Sequence, residues 1–180
     1  VGWILTRLSD ESDGYGLFKT VDGGKSWKIC IDRWKLGLEY VAEDMVIVSG
    51  GPYYLSKSTD GGITWVDITP SERVSGYNSL NFVGSDTGIY VVTYSSSSGT
   101  KFNRTFDGGR TWRNGIFAEF AYISEIGYID NQNGYFIAHR TSDGAKVICK
   151  TDDAFDTWTV VYESQYRVHS CHFFNSDSCI

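Results

Sequence analysis

Four aspartates, Asp22, Asp60, Asp107 and Asp153, each stand between two hydroxyl side chains at a fixed spacing. One hydroxyl lies two residues before the carboxylate (Thr20, Ser58, Thr105, Thr151) and the other four residues after it (Ser26, Thr64, Thr111, Thr157). A carboxylate among hydroxyls could act as a general base or help to hold a hard cation. A single chemical step needs one such group, however, and here the same setting recurs four times. The repetition points to a structural task for all four aspartates.

The rest of the phrase says what that task is. A tryptophan follows the second hydroxyl directly (Trp27, Trp65, Trp112, Trp158), and a basic residue precedes the first (Lys19, Lys57, Arg104, Lys150). Gly23-Gly24, Gly61-Gly62 and Gly108-Gly109 supply the positive φ values of a tight turn between antiparallel strands. The carboxylate can accept hydrogen bonds from the amides just after it, and the indole can cover the turn. The fourth copy has Phe155 where the others have their second glycine, which puts its turn geometry in question. With these residues the chain resembles the Asp-box (BNR) β-propeller proteins. The resemblance implies that the four Asp and Trp pairs lie at the periphery of the blades, away from any active site. Sialidases, other glycosidases, sorting receptors, assembly factors and lectins all carry the box, so it speaks for fold and leaves function open.

The elements that position these turns follow from their period. The box aspartates are separated by 38, 47 and 46 residues, which suits one four-stranded blade per repeat. The expected fold is therefore all-β: a small β-propeller of four four-stranded antiparallel blades in a single domain, 1–180. The blades are expected at about 170–180 with 1–32, then 38–69, 78–117 and 123–163. Val1 to Leu5 reads as the second strand of a blade, like Gly134 to Ile137, with nothing before it to serve as a first strand. Ser170 to Asp177 resembles the first strand at Ser79 to Asp86. The two terminal strands are therefore expected to pair and close the ring, which removes exposed sheet edges.

Composition excludes some classes. Sixteen basic against 22 acidic residues give a net charge of −6 with no long basic run, against a nucleic-acid partner. No apolar run reaches the roughly 20 residues of a membrane span. Aromatics at 16% and 20 glycines against 2 prolines favour short strands and tight turns. The chain starts at Val1 and its one methionine is Met45, so either a leader or tag has been removed or the chain is cut from a longer one. A removed leader would favour a secreted or extracytoplasmic setting. Cys30, Cys149, Cys171 and Cys179 show no framework spacing and read as free buried thiols.

Other constellations give little chemistry. His169, Cys171 and His172 are too few to close a zinc site, and His169 and Cys171 face away from His172 in a strand, so no metal and no cofactor is expected. A glycosidase needs two carboxylates at a defined separation, and a sialidase an arginine cluster; neither is specified here. The loops between blades carry aromatic and arginine residues instead: Trp34, Arg73, Tyr77, Phe120, Tyr166 and Arg167. Such residues make contact area at low cost in rotamer freedom, so this face, opposite the boxes, is the expected binding surface. The expected function is a non-catalytic binding module for a protein or a carbohydrate. The alternatives are a glycoside hydrolase or sialidase-like enzyme, or a fragment of one, and a photosystem-assembly-type scaffolding factor.

Overall fold

The computed structural model describes residues 1–8, 14–34, 36–40, 42, 44–50, 54–71, 77–93, 99–164, 166, 173–175 and 178–179. Side chains at 32–34, 36, 38–40, 50, 77–78, 93, 173–175 and 178–179 lie outside the description. The described residues form strands and turns, all strand pairs are antiparallel, and two compact units divide at Arg73 and Val74.

The first unit holds two sheets. One is β1 (Gly2–Arg7), β2 (Gly14–Thr20) and β3 (Lys28–Trp34), in that order. The other is β4 (Leu36–Tyr40), β5 (Val46–Gly50), β6 (Leu55–Ser58) and β7 (Val66–Asp67). Alternation along the strands turns Leu17, Ile31 and Val48 toward one another, with Trp3, Leu5, Tyr15 and Trp65 packed around them.

The second unit holds β8 (Tyr77–Val83), β9 (Thr87–Thr93), β10 (Thr100–Thr105) and β11 (Arg113–Phe117) in one sheet. A second sheet has β12 (Phe120–Tyr128), β13 (Gly134–Arg140), β14 (Lys146–Thr151) and β15 (Thr159–Ser164). The core between them is aromatic: Phe102 and Phe117 from one sheet meet Phe120, Phe136 and Phe155 from the other. In all four sheets the repeated aspartate phrase joins the last two strands, as a turn between antiparallel neighbours should.

The segment at 170–177 expected to pair with Val1 to Leu5 lies largely outside the described residues. Among the described residues β1 pairs with β2 alone, and β16 (Phe173–Asn175) pairs with β17 (Ser178–Cys179).

Candidate functional site

Each repeated turn is a closed hydrogen-bond cage. In the first copy the Thr20 hydroxyl donates to Asp22 Oδ1 at 2.8 Å and accepts from the Gly24 amide at 2.9 Å. Asp22 also accepts from the Ser26 amide at 2.9 Å and the Ser26 hydroxyl at 2.5 Å. Ser58, Asp60 and Thr64 repeat this pattern, as do Thr105, Asp107 and Thr111, and Thr151, Asp153 and Thr157. The Trp27 and Trp65 indoles donate to the carbonyls of Gly24 and Gly62, tying the ring to the turn it covers.

The fourth turn keeps this geometry without glycine. Ala154 and Phe155 have φ of 58° and 68°, beside 71° and 86° at Gly61 and Gly62. The Phe155 amide still bonds the Thr151 hydroxyl at 3.0 Å. The substitution alters the cost of the turn and not its shape.

So many donors leave these carboxylates poor bases. Asp22, Asp60 and Asp107 are held at about 2, below the ordinary 3.8, first by the hydroxyl four residues on and then by that residue's amide. Burial pulls Asp153 upward, and the Thr157 amide and hydroxyl with the Thr151 hydroxyl outweigh it, leaving it lowered. A carboxylate that binds its proton less readily when folded adds stability above its unfolded pKa and loses it as pH falls through the folded value. The melting temperature is therefore expected to fall between about pH 4 and pH 2. A melting curve flat across that window would contradict the cage.

A second regularity explains the basic residue before the first and third phrases. Lys19 Nζ lies over the Trp3 ring, 5.1 Å from its centre, and donates at 2.8 Å to the Gly61 carbonyl in the turn of the next sheet. Arg104 Nη1 donates at 2.5 Å to the carbonyl of Ala154, the residue at the same position of its own phrase. Arg104 adds an ion pair to Asp156 and stacks with Phe106. Each is a strap across a seam between sheets. The sequence shows the spacing, but the acceptors lie 42 and 50 residues away, so local spacing could not name them.

The end of the second unit's sheets opposite the turns holds the connection from β11 to β12. In the second unit the Thr141 amide donates to the Glu119 carbonyl and the Thr100 hydroxyl to the Phe120 carbonyl. Arg140 there forks between Asp143 and Glu163, with contacts of 2.6 Å and 2.9 Å, so its charge is spent within the fold. Tyr122 meets the His139 ring edge-on at 5.4 Å.

Of the six residues expected at this end, Tyr166 is 85% exposed, whereas Phe120 is fully buried. Phe120 begins β12 with its ring against Phe136 and Trp158, so it is core and offers no contact surface. Trp34 closes β3 and Tyr77 opens β8, but their side chains lie outside the described residues, as do Arg73 and Arg167 entirely. His169, Cys171 and His172 also lie outside it. Cys30 and Cys149 are free thiols; burial pushes Cys149 to about 12 and also raises Cys30, against the pull of Lys19 and Lys28. Among the described residues no helix is long and apolar enough to cross a membrane.

Comparison with family models and with curated proteins finds no match. Solved structures do resemble the chain. YCF48 from Cyanidioschyzon merolae aligns with a TM-score of 0.63 at 13% identity, over 98% of this chain and 62% of that one. YCF48 bound to D1 peptide aligns at 0.54 and 24% identity, over 70% of this chain and 38% of that one. The GH74 xyloglucanase from Xanthomonas campestris aligns at 0.62 and 15% identity, over 88% and 28%. The chain thus spans 38% and 62% of the length of the two YCF48 structures. These neighbours are β-propellers, and the likeness is one of fold. YCF48 and GH74 enzymes share it, so the fold does not choose between binding and hydrolysis.

Proposed function

We propose that the chain forms four consecutive blades of an Asp-box propeller and acts as a non-catalytic module that binds a protein partner. The observation that carries this reading is the fate of the repeated carboxylates. All four are enclosed by hydroxyls and amides, and in each the proton affinity is lowered, the opposite of what a general acid needs. The neighbour solved with a bound peptide supports a protein partner.

The binding face in this reading is the end opposite the boxes, with Trp34, Arg73, Tyr77, Tyr166 and Arg167 as contacts. Arginines and large aromatics give contact area at low cost in rotamer freedom. A peptide array and a glycan array, probed with the chain and with its Trp34→Ala, Arg73→Ala double variant, test the proposal. Peptide binding that the double variant loses while its melting curve stays unchanged is the expected result. Binding unaffected by the double substitution, or release of sugar from xyloglucan by the unaltered chain, would overturn it.

A further inference from the structure

The two straps use one repeat position in opposite ways. Beside Ala154, Asp156 stands two residues before Trp158 and gives Arg104 a carboxylate. The same position in the second phrase is Ile63, two residues before Trp65 and 81% exposed. Lys19 therefore reaches a carbonyl and an aromatic face where Arg104 reaches a carbonyl and a carboxylate.

Next to Lys19 the seam stays open as a groove of about 480 Å3. Val21, Trp27, Ile29 and Ile63 line it, and all four are among the exposed large apolar side chains of the molecule. Among the described residues its lining carries two cations, Lys19 and Lys28, and no carboxylate. Gly61 and Gly62 form one wall, with Lys19 packed against the first and Trp3 and Cys30 against the second. Apolar side chains gathered in a concave site whose lining also carries two lysines are unlike the scattered exposed residues of an ordinary surface.

We infer that this groove docks an extended segment of a partner protein in which an acidic side chain adjoins an apolar one. The incoming carboxylate stands toward Lys28 and, together with the Asp44 carboxylate beside Gly61, toward Lys19. The apolar neighbour covers Trp27, Ile29 and Ile63. A lysine already partly desolvated against an indole gains more from a carboxylate than one in open water. This site belongs to the turn end of the sheets, so it is independent of the loop face, and substitutions at Trp34 and Arg73 leave it intact.

The test uses a fluorescein-labelled peptide of alternating aspartate and leucine, blocked at both ends, and the same peptide with asparagine for aspartate. Fluorescence anisotropy is expected to show binding of the acidic peptide, and binding at least about tenfold weaker for the neutral one. Ile63→Asp places the carboxylate in the chain itself at an exposed position. It should weaken acidic-peptide binding at least about tenfold with the melting temperature equal or higher. Lys28→Gln, which leaves the Lys19 strap in place, should weaken binding with no change in melting. The inference fails if the acidic peptide does not bind the unaltered chain, if both peptides bind alike, or if Ile63→Asp binds as well as the parent.

Discussion

Replacing Phe117 with alanine is expected to cost about 3–5 kcal/mol of stability, at the upper end for removal of a buried ring. Phe117 ends β11, is fully buried, and is the residue through which two sheets of the second unit meet. Its ring centre lies 4.5 Å from Phe102, 4.7 Å from Phe136, 5.0 Å from Trp158 and 6.4 Å from Phe155. These partners come from β10, β13 and the fourth turn, each fixed by strand pairing or by the turn's hydrogen bonds. Little of the vacated volume can therefore be refilled by relaxation, and the cavity cost stays. Urea denaturation of the parent and the variant measures the difference. A loss below about 1 kcal/mol would mean that the surrounding rings repack freely, and that they do not form the rigid core described.

How much of this could be read from sequence depends on the range over which each residue acts. The turns were legible because every bond in a cage joins residues at most four apart, so spacing alone encodes them. The strands on either side followed from the turns. The straps were visible as a constant basic position, but their acceptors belong to the next repeat, and no local pattern identifies an acceptor 42 or 50 residues away. The signal that could have found them is the pairing of that basic position with the residue after the next box aspartate. Phe120 was misread because it follows Ala118 and Glu119, both exposed, and an aromatic beside a charge looks like a surface contact. Its true setting is decided by β12, which starts at Phe120 and turns that side chain inward. The groove at Lys19 was hidden because Trp27 and Ile63 belong to different phrases, and either alone reads as turn furniture.

The fourth turn offers a pair of substitutions with opposite expected signs. Ala154→Gly should stabilise the chain by up to about 1 kcal/mol, because alanine at φ 58° carries a left-handed backbone cost that glycine does not. Phe155→Gly relieves the same kind of strain, at φ 68°, yet it should destabilise by about 2–4 kcal/mol. The difference lies in the side chain. The Phe155 ring is almost fully buried, 5.0 Å from Tyr128 and 6.2 Å from Phe136, and a Cβ on Gly134 would come within 2.5 Å of it. Loss of a buried phenylalanine costs about 3–5 kcal/mol, more than the roughly 1–2 kcal/mol of one left-handed residue, so this phrase keeps a non-glycine where the other three have glycine. Phe155 thus belongs both to a turn and to the core, and the core decides its identity. Thermal and urea unfolding of the two variants beside the parent measures both signs. If Phe155→Gly raised stability as Ala154→Gly should, strain would outweigh packing at this turn, and the account of why the fourth phrase departs from the others would be wrong.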